Sequence, residues 1–304
     1  MTNGYQALRE SAAWIDLSAR GKIRVTGEDA GRLLHAMTTN NVKELADGAG
    51  LYAFFLTDKG RITADANIFR IGDEYLLDTE PETASKVYQH LDKYIIADDA
   101  YVTDETSSWF EFGVEGPESV AAMRHLGLTV PEGDRDIAAA NSGYVARVAA
   151  TGSVGFRVWV QEGKRPELGL PEATSEDARV VRLENGIPRY GEDISERYLV
   201  QETQALHAVH FSKGCYLGQE IVERIRSQGK VHRLLTPIRV TGSVPLAPGT
   251  KLRSGEAAAG EVTSSVYSPA LSEVVGLAYL RSDIVEKPSE MTVESDPLIK
   301  VRIS

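Results

Sequence analysis

In the first hundred residues the spacing of apolar side chains switches between two periods. Ala30, Leu33, Leu34 and Met37 fall at helical spacing, which predicts a helix within residues 27–37. Residues 51–56 are a short apolar run rich in aromatics and read as a strand. Asp58-Lys59-Gly60 is a turn signal, residues 62–71 alternate partly, and Gly72-Asp73 marks a second turn before a return strand at 74–78. Together these predict a β-meander. Glu80-Pro81 opens a helix, because proline suits a first turn. Ala84, Val87, Leu91, Tyr94 and Ile95 give that helix one apolar face.

Residues 110–114 are strand-like, and Gly116-Pro117 opens a helix that Gly127 closes. Residues 144–150 and 155–160 predict two strands about a Gly152-Ser153 turn. In the second, Phe156, Val158 and Val160 alternate with Arg157, Trp159 and Gln161. Residues 163–173 hold two prolines and read as a loop. Ser175 is the expected N-cap of a helix reaching Glu184, which Gly186-Ile187-Pro188 ends. Residues 201–209 form a further short element. From Leu234 onward glycine, proline, valine and serine dominate, with short runs such as 238–240 and 274–279 between turns. The expectation is two domains: an α+β region over residues 1–232 and a small β-barrel over 233–304.

With 304 residues the chain can bury a core without metal or disulfide staples. Its 42% hydrophobic and 25% charged residues exclude a disordered or low-complexity protein. A net charge of −11 speaks against bulk nucleic-acid binding, which needs a positive face. The one cysteine, Cys215, cannot form an intramolecular disulfide. Residues 1–14 lack the apolar core of a secretory signal, and no uncharged apolar run is long enough for a membrane span. A cytoplasmic protein without a membrane anchor is expected.

Familiar dinucleotide, P-loop and nucleophile-elbow patterns are absent. His207 and His210 could share a helix face, but without a neighbouring carboxylate ligand no metal site is assigned within one chain. The most unusual stretch is Lys213-Gly214-Cys215-Tyr216-Leu217-Gly218-Gln219-Glu220. A helix starting near Gly218 and the Lys213 ammonium would both favour the Cys215 thiolate, the reactive form. This makes Cys215 and Lys213 the catalytic candidates, against the alternative of an inert cysteine buried in a tight turn. A second dense stretch is Arg182-Leu183-Glu184-Asn185-Gly186 with Tyr190-Gly191-Glu192-Asp193. A carboxylate at a helix C-terminus opposes the dipole and needs another reason to be there. Glu184 could take paired N–H donors from a planar heterocycle, or form a salt bridge with Arg182 or Arg189. Arg224, Arg226, Lys230, His232 and Arg233 make a basic run that suits either a solvated face or an anionic ligand.

At these residues the chain resembles a known family. Lys213 to Glu220 is similar to the K-G-C-aromatic-x-G-Q-E motif of the YgfZ-type folate-binding proteins, relatives of the glycine cleavage T-protein (aminomethyltransferase). His35-Ala36-Met37-Thr38-Thr39-Asn40-Asn41-Val42 resembles the "ttNdv" segment of that superfamily. Leu56-Thr57-Asp58-Lys59-Gly60-Arg61-Ile62, with Asp65 further on, resembles its "lnpkGri" turn. Gly113-Val114-Glu115-Gly116-Pro117 resembles "lqGP", and Arg182 through Asp193 resembles "RlE-x-Gip…g-x-D". Gly260-Glu261-Val262-Thr263-Ser264-Ser265 with Tyr267-Ser268-Pro269 resembles the "G-x-vtS…sp" segment of the C-terminal barrel. These matches run in order along the chain.

The resemblance implies interleaved ferredoxin-like α+β subdomains around a central cavity, followed by a small barrel. It also implies tetrahydrofolate, or a one-carbon derivative, bound in that cavity. Cofactor-binding candidates on this basis are Glu184, at the pterin ring, with Arg182, Tyr190, Lys213, Arg226 and Arg61. The family's association with iron–sulfur enzymes, including tRNA-thiolating ones, implies an accessory factor with iron–sulfur partners rather than a direct nucleic-acid binder. Transfer of an aminomethyl or one-carbon unit is the alternative. Counted forward from Tyr75-Leu76-Leu77, the Asn-Ala pair of true aminomethyltransferases falls on Glu80-Pro81, and their catalytic aspartate falls on Val87. Valine cannot exchange a proton.

Overall fold

The computed structural model describes residues 2–140, 143–161, 167–229 and 231–304. The helices in chain order are α1 (Asn3–Glu10), α2 (Ala30–Met37), α3 (Ala84–Tyr94), α4 (Ser119–His125), α5 (Ser175–Glu184), α6 (Gln219–Gln228) and α7 (Ser282–Glu286). The predicted meander forms: Gly50–Leu56, Ile62–Ile71 and Glu74–Thr79 are neighbours in an antiparallel sheet, which Gly21–Thr26 and Tyr101–Asp104 extend to five strands. α2 and α3 cover it. Leu33, Leu34, Val87 and Leu91 pack on Ile23, Val25, Phe55 and Leu77 in one apolar core. Val87 is buried there, on the predicted apolar face of its helix. Pro81 opens a 3-10 turn, Pro81–Thr83, before α3 begins.

A second sheet runs Glu172–Ala173, Ala13–Asp16, Trp109–Glu115, Gly155–Gln161, Gly143–Ala146 and Ile137–Ala140. The chain thus places one N-terminal strand in this sheet and the next, Gly21–Thr26, in the other. That alternation interleaves the two α+β units. They meet through Phe69, Leu76, Ile137, Ala146, Val148 and Trp159, with the Phe69 and Trp159 rings 5.6 Å apart edge to face. The expected alternation of Gly155–Gln161 is incomplete: Arg157 and Trp159 are buried as deeply as Phe156 and Val158. One face of this strand packs with Met123 of α4, and the other turns toward the neighbouring sheet. The strand predicted over 144–150 ends at Ala146.

α5 is capped one residue earlier than expected. Thr174 accepts from the backbone of Asp177, and Asp177 accepts from Thr174 in return. The first part of the predicted loop over 163–173 lies outside the described residues, and its end is the edge strand Glu172–Ala173. The predicted element over 201–209 is two 3-10 turns, Val200–Thr203 and Leu206–Ala208. Six strands from Arg233–Val240 to Asp296–Ile303 close a barrel around Ile238, Val240, Leu252, Val262, Ala278 and Leu280. Among the described residues no helix is long and apolar enough to cross a membrane.

The Asp58-Lys59-Gly60 turn and the Gly218 turn ahead of α6 lock together. Gly218 adopts φ +83 ahead of α6, and a Cβ there would lie 2.6 Å from the Thr57 carbonyl. A Cβ on Gly60 would lie 2.8 Å from Cβ of Ile221. Gly218→Ala therefore meets both a left-handed backbone and a backbone clash. Its expected cost is about 2 kcal/mol or more, read as a lower denaturant midpoint at unchanged m-value.

Candidate functional site

A cavity of about 810 Å³ opens between the two sheets and α5. Its wall is charged on both sides. Asp65, Asn67 and Asp78 come from the five-stranded sheet, and Arg157 comes from the six-stranded one. Most of these charges neutralise one another. Arg20 donates to Asp78 at 2.6 Å and to Glu80 at 2.5 Å. Arg189 pairs with Glu80 at 2.8 Å, and Arg157 pairs with Asp78. Asn67 donates to Asp78 at 3.1 Å. Such pairing is what permits carboxylates and guanidiniums to stay ionised away from water. Behind this layer, Lys22 and Glu111 form a fully buried pair at 3.3 Å.

Tyr52 donates to Asp65 at 2.6 Å, and its ring stacks on His207 with centroids 5.5 Å apart. Arg135 lies over the same ring and donates to Asn67 at 3.3 Å. Burial and the neighbouring Glu80 push the Asp65 carboxyl up to about 6. Burial, with nearby Arg135, also pulls the His207 pKa down.

The candidates from the sequence separate into distinct places. Arg182 lines the cavity, where it pairs with Glu192 and with Asp193 at 2.8 Å. Glu184 does not line it. Its carboxylate accepts from the hydroxyls of Tyr5 and Ser268, both at 2.5 Å, with Arg9 at 3.3 Å. This tie between α1, α5 and the barrel is the reason a carboxylate sits at that helix C-terminus. It corrects the expectation of a cavity-facing pterin ligand. Tyr190 is buried outside the cavity lining and donates to the Thr63 carbonyl at 2.6 Å, steadying strand Ile62–Ile71. Arg61 donates to the Arg197 carbonyl at 2.9 Å. Arg226 is exposed, lies over the Phe211 ring and pairs with Glu223 at 3.3 Å. Neither arginine reaches the cavity wall. Within the basic run Arg233 pairs with Glu202 at 2.9 Å, and Lys230 lies outside the described residues.

Lys213 is also corrected. Its buried ammonium donates to the carbonyls of His35, Thr38 and Asn40 at 2.6, 2.6 and 2.7 Å. An ammonium has three donors, so none remains for the Cys215 thiol. Burial and nearby Lys43 pull its pKa down to about 7, whereas three carbonyls at short range favour the charged form. Two backbone bonds reinforce this staple: His210 N donates to Thr39 O and Leu217 N donates to Ala36 O, both at 3.0 Å. The loop so held presents Cys215 to solvent, which removes the buried-cysteine alternative. Tyr216 is buried beneath the Lys213 ammonium, 4.9 Å from its ring centre. His35 borders Gly214 and is held down to about 4 by burial and by Lys213. α6 begins as expected, at Gln219, with Glu220 in its first turn.

Sequence models of two parts of one family cover nearly the whole chain. The GCVT N-terminal domain matches residues 1–213, and the glycine cleavage T-protein C-terminal barrel domain matches residues 233–304. The chain belongs to the glycine cleavage T-protein family. It shares 28% identity over 298 residues with an aminomethyltransferase of Rubrobacter xylanophilus, across 91% of this chain and 78% of that protein. It shares 26% over 303 residues with a chloroplastic putative transferase of Arabidopsis thaliana, across 93% and 68% respectively. The crystal structure of the glycine cleavage system aminomethyltransferase T from Bartonella henselae superposes with a TM-score of 0.90 at 19% identity, across 99% of this chain and 87% of that one. The T-protein fold, with its mixed α+β region and closed barrel, is therefore shared. The family is one of folate-dependent transferases.

The reading by motif missed Arg20, Asp78 and Arg157 as members of the site. A signal existed: each is a charge next to buried strand residues, as in Leu76-Leu77-Asp78 and Phe156-Arg157-Val158. Charges so placed need partners across a sheet.

Lys213→Met leaves three carbonyls without their donor and is expected to lower stability by roughly 2–4 kcal/mol, measured by urea unfolding. For Asp65 the folded-state pKa lies above its ordinary 3.8. The folded state then holds more protons than the unfolded state between about 4 and 6, so this group's stability contribution is lost as pH rises through that window. Asp65→Asn is expected to remove that loss, measured as the difference between wild-type and variant melting temperatures at pH 4.5 and pH 7.5.

Proposed function

We propose that the protein binds tetrahydrofolate, or a one-carbon derivative of it, in the central cavity, and serves iron–sulfur enzymes, tRNA-modifying ones included, as an accessory factor through its Cys215 loop. The observation that carries the ligand half is the cavity itself. Its 810 Å³ lies in the range of about 300–1,000 Å³ usual for small-molecule sites. The residues present fit a folate. Arg157 Nε is buried at the wall without a hydrogen-bond partner. Arg135, Arg147 and Arg179 also line the cavity, and guanidinium forks suit the carboxylates of a folate tail. When bound, tetrahydrofolate supplies N5 and N10, the nitrogens that carry a one-carbon unit.

The partner half rests on the resemblance of the Lys213 to Glu220 motif and on the exposure of Cys215. A thiolate there can ligate iron, or take the outer sulfur of a partner's persulfide as the partner's thiolate leaves. One cysteine cannot hold a cluster, because clusters take about four ligands, so a partner must supply the others. Direct tRNA binding has little support: the net charge is −11, and Arg226 and Arg233 face Glu223 and Glu202. Aminomethyl or one-carbon transfer is the second reading, favoured by the names of the relatives. Val87 sits in an apolar core and offers that reaction no proton.

Anaerobic thermal melts test the ligand half. A ligand at a hundredfold excess over Kd adds about 2.7 kcal/mol of stability. Tetrahydrofolate is expected to raise the melting temperature of the wild type. Glu184→Ala is expected to melt lower without ligand yet keep the ligand-induced rise, because that carboxylate is outside the cavity. Absence of any rise at millimolar tetrahydrofolate would sink the folate reading. Cys215→Ala is expected to keep the rise and lose support of iron–sulfur enzymes in cells lacking the native protein. Full support by that variant would remove the thiol from the account.

A further inference from the structure

The carboxylates around the central cavity differ in one respect. Asp78 and Glu80 face Arg20, and Glu192 faces Arg179 and Arg182. Asp134 and Glu176 are solvent-exposed and lie beside Arg135 and Arg179. Asp16 is exposed and accepts from the Ser18 backbone. Among the described residues, Asp65 is the cavity carboxylate that is both buried and without a cation at ion-pair distance, at 7% exposure. Its hydrogen bond comes from Tyr52 at 2.6 Å. A carboxylate has about four acceptor positions, so most of its capacity is unused.

Leaving a carboxylate in that state is costly unless it takes a proton or finds further donors. The groups acting on it are Glu80, which raises its pKa, Arg20 and Arg189, which lower it, and Arg157, Tyr52 and Tyr190 close by. The balance leaves it ionised at neutral pH, as the value of about 6 indicates. Its orientation is fixed from the far side of Tyr52. That ring stacks on His207 and contacts the Arg135 guanidinium, and Arg135 itself keeps a left-handed φ of +59. Such strain in a non-glycine residue persists only where surrounding contacts over-determine it.

We propose that Asp65 is the carboxylate that receives the N–H edge of the ligand's aminopyrimidinone ring, with Tyr52 as the residue that orients it. The proposal rests on the folate reading above. Two adjacent N–H groups on a planar edge match two carboxylate oxygens as a guanidinium does. An anionic tail would be repelled from Asp65. Donation of two N–H groups stabilises the ionised form. Binding near pH 6 must therefore release a proton.

Calorimetry of tetrahydrofolate binding to the full chain tests this, run anaerobically from pH 5.5 to 8 in two buffers of different ionisation enthalpy. For the wild type the expected result is proton release near pH 6, none at pH 8, and weakening affinity as pH falls below about 6. Asp65→Asn is expected to bind about tenfold weaker or worse and to release no proton. Tyr52→Phe keeps the carboxylate and loses its donor, so its affinity is expected to fall away at a higher pH than the wild type's. Equal affinity and equal proton release in Asp65→Asn would overturn the assignment while leaving the folate reading intact. So would wild-type binding that is independent of pH and proton-neutral throughout. Absence of wild-type binding at any pH would overturn the folate reading and the assignment together.

Discussion

The buried carboxylate of Asp193 joins the two halves of the molecule. It accepts from Arg182 at 2.8 Å, from the Arg189 backbone at 3.1 Å, and from the hydroxyls of Thr263 and Ser264 at 2.7 and 2.5 Å. Two donors belong to the end of α5 and the turn after it, and two belong to a barrel strand. Each donor alone is worth about a kcal/mol, somewhat more where charge assists. Together they leave the carboxylate fully satisfied at 0% exposure, which a charged group requires. The same arrangement aims Arg182 and Glu192 along the cavity wall. The barrel is thus fastened to the cavity through the residues that help to shape it.

A second layer of charge sets what the cavity can hold. The Arg20, Asp78, Glu80, Arg157 and Arg189 cluster is largely self-neutralising. A wall of this kind offers directed hydrogen bonding rather than a strong net field, which suits a ligand carrying donors at one end and negative charge at the other. The Cys215 loop stands apart from this wall. Its anchors run to the segment His35 to Asn40, and its cysteine faces solvent. The cavity and the exposed thiol therefore lie on different surfaces of one scaffold.

Much of this fold is legible in the chain. Periodicity finds α2 and α3, and apolar runs between turn signals find the meander, because their apolar faces pack locally. The motif stretches are legible too, but their physical meaning is not. Lys213 reads as an activator of Cys215 and is a staple. Glu184 reads as a ligand contact or a salt bridge to Arg182 or Arg189, and ties α1 to the barrel. A sequence shows which groups are near along the chain, whereas a buried ion finds its partners across it. Asp193 shows the same rule, with Thr263 and Ser264 about 70 positions away. Arg157 and Trp159 alternate along the chain with Phe156, Val158 and Val160, and a second sheet covers them.

Strand Ala13–Asp16 has a consequence for how the chain acquires its shape during synthesis. It pairs antiparallel with Trp109–Glu115 and parallel with Glu172–Ala173, where Trp14 faces Glu172. At about 5–20 residues per second, a ribosome needs roughly 10–30 s to supply the later partner after the strand emerges. Throughout that interval an apolar strand has an open edge, the kind of surface that pairs with strangers. The five-stranded sheet needs nothing beyond Asp104 and can be complete well before then. The nascent chain thus has reason to finish its second-written unit first, with its own beginning left waiting for a segment written much later.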